Sequence, residues 1–185
     1  MFACHVPYAL RNHPKVRILP LGLKAVNVPL VSNYRKQMGP LPWNFVFAQF
    51  SIRPPPIRSV PRTRLIRYLQ ANGLVPSTPM HRMKKPEYYK KLLASKFVVA
   101  PRGNAPDTFR AYESLALGRV PIVYKLIDPF VYEGLPVVQV SEWEEVNRSR
   151  LLAEWNALQQ TTVNIRKLTH GWWLWYILLQ VLDTD

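Results

Sequence analysis

Apolar residues in this chain cluster in short unbroken runs separated by Pro, Gly and Asn. Residues 96–100 (KFVVA) and 120–124 (VPIVY) are two such runs, each of strand length. Continuous apolar strands bounded by turn residues belong in a parallel sheet covered on both faces. Between them, residues 107 to about 117 (DTFRAYESLAL) read as a helix. Asp107 is placed to cap it, its carboxylate accepting from the first free N–H groups. Gly118 stands where a helix ends in a left-handed residue. This strand–helix–strand unit puts the loop 101–106 at the carboxyl edge of the sheet. Ligands of open α/β folds bind at that edge, where a helix N-terminus also favours anions.

The remaining elements arrange themselves around this unit. Residues 1–15 lack periodicity and read as irregular. A short strand is expected at 15–19, closed by Pro20-Leu21-Gly22, followed by loop as far as Pro42, with Pro29, Gly39 and Pro40 as breakers. The aromatic run 43–50 reads as a strand, and the proline-rich 51–61 as an extended surface segment. A helix begins at Pro61, with Leu65, Ile66 and Leu69 on one face and Gly73 as its stop. After a loop over 74–85, Pro86 opens another, with Glu87 in its first turn and Tyr88, Tyr89, Leu92 and Leu93 on its apolar side. The loop 125–135 is placed to line a ligand crevice, and 136–140 is a further buried strand. Ser141 with Glu144 reads as a capping box opening a helix at Glu142. Residues 150–159 form a helix with Leu151, Leu152, Trp155 and Leu158 inward, and 161–185 hold a C-terminal helix crowded with Trp172, Trp173, Trp175 and Tyr176. That block suits either packing across the sheet or docking onto a further lobe or a membrane interface; a helix apolar most of the way round favours docking. The pattern predicts an α/β fold, Rossmann-like, with a mostly parallel sheet of about four to six strands and helices on both faces. Val98, Val99, Ile122, Val123, Val137 and Val138 are its expected core.

Length and composition narrow the picture. The 185 residues suffice for one domain with a substantial core, and 48% hydrophobic content excludes wholesale disorder. The lone Cys4 rules out an internal disulfide and a cysteine-based zinc site, and His5, His13, His81 and His170 share no metal-ligand spacing. Dinucleotide, P-loop and nucleophile-elbow glycine patterns are all missing. Asp183-Thr184-Asp185 reads as a polar tail. Residues 1–10 hold no signal-like apolar core, and the longest apolar run, 172–179, is far short of the ~20 residues that span a bilayer. A soluble domain is expected.

Charge is distributed unevenly. The net charge is +14, and residues 1–86 hold fourteen Lys or Arg and no Asp or Glu. An anionic partner fits this half: a nucleotide diphosphate, an acidic glycan, nucleic acid or acidic lipid. A merely solvated basic face fits it equally.

The carboxyl-edge loop carries the sharpest candidate chemistry. Arg110 falls in the first helical turn, Glu113 lies three residues on along the same face, and Arg102, Gly103 and Asn104 precede them. A guanidinium forks onto phosphate oxygens, glycine lets backbone approach a ligand, and a carboxylate one turn deeper accepts from sugar hydroxyls. Together they can hold a phosphorylated sugar. The alternative is structural: Asp107 caps, Arg110 and Glu113 form a surface pair worth at most about 0.5 kcal/mol, and Gly103 turns the chain. Spacing alone leaves both standing.

The run FVVAPRGNAPDTFRAYESLALGRVPIV, residues 97–123, resembles the donor-binding segment of exostosin-like, family 47-type glycosyltransferases. In these two-lobed GT-B enzymes a strand and a P-R-G-N loop lead to an R-x-x-E helix and a G-x-[IV]-P-[IV] strand. A more distant likeness to α1,3-fucosyltransferases is also present. The resemblance thins towards Pro20-Leu21-Gly22 on one side and Trp143 and Trp172-Trp173 on the other. It implies that Arg110 contacts the donor diphosphate and Glu113 the ribose, with Arg102, Gly103, Asn104, Asp107 and Thr108 around the pocket. Arg62 matches an early-helix arginine of the family and is a candidate for the same phosphate, against the plainer reading of a solvated arginine beside Arg64 and Arg67. The implied activity is sugar transfer from a nucleotide-sugar to a glycan or other hydroxyl acceptor, with no cofactor and no obligatory metal. Only the donor-binding lobe is matched, so the acceptor lobe would precede residue 1 or belong to a partner chain, or catalysis has been lost; a Golgi-lumenal or membrane-associated setting goes with a eukaryotic member. The catalytic base, the nucleotide and the sugar are not chosen by this sequence. The rival function is a non-catalytic basic module for nucleic acid or acidic glycan.

Overall fold

The structure, a computed structural model, describes residues 2–3, 13, 16–24, 27–36, 44–50, 62–77, 83–103, 107–125, 129–160 and 164–182. Strands are β1 Phe2–Ala3, β2 Arg17–Ile18, β3 Asn44–Ala48, β4 Ser95–Ala100, β5 Val120–Tyr124 and β6 Val138–Val140. Helices are α1 Val28–Lys36, α2 Arg62–Ala71, α3 Lys85–Leu93, α4 Phe109–Ala116, α5 Arg148–Gln159 and α6 His170–Leu182. The fold is α/β. β3 to β6 form a four-stranded parallel sheet in chain order, and β1 pairs β2 in a separate parallel ladder. The central unit stands as its pattern requires, with Val98 opposite Pro121 and Val99 opposite Ile122. Pro121 lacks a donor, and it sits just ahead of the β6 pairing, which begins at Ile122 and Val138.

Strand alternation divides the core between two faces. Phe97, Val99, Val120, Ile122, Val138 and Val140 pack against Leu65, Ile66 and Leu69 of α2 and Leu151 of α5. Facing the other way, Val98 meets Tyr89 and Leu92 of α3 and Val31 of α1, while Ala100 and Val123 meet Ala111, Tyr112 and Leu115 of α4. Each fully buried Leu, Ile or Phe in these layers contributes about 1.5–3 kcal/mol. Gly73 (φ 63°) and Gly118 (φ 65°) both adopt the left-handed conformation past the ends of α2 and α4.

Several expectations need correction. Residues 28–36 form α1 where loop was expected: Pro29 lies in its first turn, where the missing N–H breaks no helical bond. Phe2–Ala3 is a strand rather than irregular chain, because Arg17–Ile18 offers it a partner. The capping box is shifted by one: Glu142 caps and Glu145 reciprocates, around a short 3₁₀ turn Trp143–Glu145. Leu152 points outward at 42% exposure, and Val137 is only partly buried. The C-terminal helix is broken at Thr169, between a 3₁₀ turn Ile165–Leu168 and α6. The proline-rich 51–61 and residues 126–128 of the crevice loop lie outside the described residues.

The inner face of α6 gathers on Phe130, with ring centroids 4.9 Å from Tyr176 and 5.9 Å from Trp172. Its other face, Leu174, Trp175, Leu178, Val181 and Leu182, is exposed. No helix of the described residues is long and apolar enough to cross a membrane.

Candidate anion site at the carboxyl edge of the sheet

β4 ends at Ala100, and Pro101, Arg102 and Gly103 carry the chain off the sheet edge. Arg62, the first residue of α2, reaches this loop and donates from Nη2 to the Arg102 carbonyl at 3.0 Å. Its guanidinium carbon stands 5.9 Å from the centroid of the Phe50 ring, just beyond β3. A Cβ at Gly103 would lie 3.4 Å from Arg62 Nη2, so the bare glycine leaves room for the guanidinium against the loop. Asn104 lies outside the described residues.

At Asp107 the cap differs from expectation. Thr108 is the N-cap of α4, its Oγ1 accepting from Ala111 N–H at 3.4 Å. Asp107 is turned inward and buried, accepting from the backbone N–H groups of Leu21 and Thr108 and from the phenol of Tyr112, each at 2.8 Å, and from Tyr132 O–H. It ties the segment at 21 and the turn at 132 to the start of α4. Four donors leave it little capacity to line a pocket.

Arg110 follows in the first turn of α4. Its guanidinium carbon lies 6.0 Å from the centroid of the Tyr88 ring, and its Nε is buried without a hydrogen-bond partner. No carboxylate of the described residues pairs with it; the surface pair with Glu113 does not form. Arg62 and Arg110 instead feel one another: the Arg62 pKa is lowered, first by burial and then by the positive charge of Arg110. One guanidinium, Arg62, thus lies on the loop, and a second, Arg110, stands in the first turn of the helix that follows, near enough for its charge to be felt at Arg62. An anion held by both would relieve their repulsion and receive charge-assisted hydrogen bonds.

Glu113 sits beneath this surface, 6% exposed. Oε1 accepts from Asn27 Nδ2 at 2.7 Å and Tyr89 O–H at 2.8 Å; Oε2 accepts from Tyr88 O–H at 3.1 Å. Lys85 Nζ donates to the other end of the Asn27 amide at 2.8 Å. Burial pushes the Tyr88 and Tyr89 phenols well above their ordinary range, with Glu113 adding to both and Arg110 opposing at Tyr88. Both stay protonated donors at neutral pH. The carboxylate is occupied from within and holds α4 against α3.

The structure therefore brings Arg62 onto the backbone of Arg102 and Gly103, leaves Thr108 and Arg110 at the start of α4, and buries Asp107 and Glu113 as anchors. Tyr88 and Tyr89, expected only as the apolar side of a helix, supply donors together with Asn27, Tyr112 and Tyr132, which nothing in the local pattern singles out. The usable signal was that two acids in an otherwise apolar strand–helix unit must each be met by several donors. Among the described residues no group of three His, Cys, Asp or Glu gathers to hold a metal. Neither family models nor curated proteins give a match to this chain.

Proposed function

We propose that the chain is the nucleotide-sugar-binding lobe of a glycosyltransferase, taking the donor diphosphate at Arg62 and Arg110. The Arg62 guanidinium set against the 101–103 loop, with Arg110 in the first turn of α4 and paired to no described carboxylate, carries the reading. The likeness of residues 97–123 to exostosin-like donor segments supports it independently. In transfer, the bond between the sugar and the diphosphate breaks while an acceptor hydroxyl attacks. Charge then grows on the leaving diphosphate, where Arg110, Arg62 and the N-terminus of α4 stabilise it. A second lobe or partner chain would present the acceptor.

Calorimetric titration of UDP, GDP and inorganic pyrophosphate tests this directly. Saturable binding of at least one nucleotide diphosphate is expected, with Arg110→Lys weakening it about tenfold, since an ammonium cannot reproduce the bidentate fork. Absence of saturable binding, or indifference to Arg110→Lys, would sink the reading. The second reading, a basic module for a polyanion, draws on the acid-free residues 1–86.

A further inference from the structure

Tyr88 touches both levels of the site. Its hydroxyl donates to Glu113 Oε2 at 3.1 Å, and its ring lies by the Arg110 guanidinium. The ring is itself wedged between aromatics, with Tyr89 at 5.2 Å and Phe47 at 5.7 Å between centroids. We infer that Tyr88 is a positioning residue for Arg110: a phenol fixed from below by Glu113 and from its sides by Tyr89 and Phe47 aims the guanidinium at the bound diphosphate. The inference rests on the diphosphate reading of the site.

A guanidinium in a binding site is ordinarily oriented by a neighbouring carboxylate. The two acids nearest in sequence, each three residues away, are committed elsewhere, Asp107 to Leu21, Thr108, Tyr112 and Tyr132 and Glu113 to Asn27, Tyr88 and Tyr89, and no other described carboxylate pairs with Arg110. A carboxylate in direct contact would also compete with phosphate for the same fork. Tyr88 solves both problems. It relays the position of Glu113 to Arg110 through a neutral group, so the arginine is oriented while its positive charge remains uncompensated. Freezing the long side chain beforehand removes entropy that binding would otherwise have to spend. Tyr89 binds the same carboxylate through Oε1 with no contact to Arg110 among the described interactions, so it is the matched control.

The test is a double-mutant cycle with inorganic pyrophosphate as the probe, read by calorimetry on the full chain, with melting temperatures taken alongside. Tyr88→Phe should weaken pyrophosphate about tenfold, and in the Arg110→Lys background it should change affinity by less than about twofold. Tyr89→Phe should lower the melting temperature comparably, yet leave the effect of Arg110→Lys unchanged. If Tyr88→Phe is too unstable to titrate, Tyr88→Trp, which keeps a ring and displaces the polar atom, enters the same cycle. Binding that Arg110→Lys weakens and the Tyr88 variant leaves intact overturns the inference alone, as do effects of the two substitutions that simply multiply. A wild-type chain that binds neither pyrophosphate nor any nucleotide diphosphate overturns the diphosphate reading and this inference together.

Discussion

At the scale of single residues, Glu113 shows how burial decides a role. Its spacing from Arg110 suits a ribose contact, whereas the structure surrounds both oxygens with Asn27, Tyr88 and Tyr89. Glu113→Gln keeps the shape but turns an amide NH₂ towards protein donors. The expected outcome is a loss of about 2 kcal/mol in stability, the scale of a hydrogen bond to a charged group, visible as a lower urea midpoint at unchanged slope. Nucleotide and pyrophosphate affinity should then fall together. A loss confined to the nucleotide would return Glu113 to the ribose. Asp107 makes the same point: an acid just ahead of a helix is read from sequence as a cap, yet at 7% exposure it serves four donors from three segments. Sequence shows the acids but not which donors fold back onto them, since those contacts span up to 86 positions, from Leu21 to Asp107 and from Asn27 to Glu113.

Elements were far more legible than contacts. β4, α4 and β5 follow from unbroken apolar runs and a left-handed Gly118, all local signals. α1 was missed because Pro29 looked like a breaker; its tolerance in a first turn depends on where the helix starts, which the pattern did not fix. Capping is equally sensitive to one residue, as Thr108 in place of Asp107 shows. Thr108→Ala removes the acceptor for Ala111 N–H and should lower stability by about 1 kcal/mol in denaturant unfolding. The 3.4 Å bond is long, so the loss should fall at or below that value rather than above it. If Thr108 only caps, pyrophosphate affinity stays within about twofold of wild type. A loss of tenfold or more would place its hydroxyl on the ligand.

For the whole molecule, the decisive feature is where the charge lies. Residues 87–185 carry eleven Lys or Arg against eleven Asp or Glu, so the entire excess of +14 belongs to residues 1–86. Arg62, at the candidate anion site, comes from that basic half, while Arg102 and Arg110 come from the balanced one. The site is therefore a local arrangement of guanidinium groups, and the long-range field around it is a separate property. Salt distinguishes the two. A ligand seated on Arg62 and Arg110 is held by short, partly buried hydrogen bonds that mobile ions screen poorly. A polyanion lying along the basic half releases counterions from each phosphate or sulfate it presents, and six or more contacts lower its affinity by ~10³-fold or more between 50 and 200 mM salt. Titrating pyrophosphate and a single-stranded oligonucleotide across that range should give a shallow dependence for the first and a steep one for the second. Arg110→Lys should then weaken pyrophosphate while leaving the oligonucleotide slope where it was. A pyrophosphate affinity as salt-sensitive as the oligonucleotide's, and equally indifferent to Arg110, would assign the basic half to the chain's main work and reduce the carboxyl-edge loop to scaffolding.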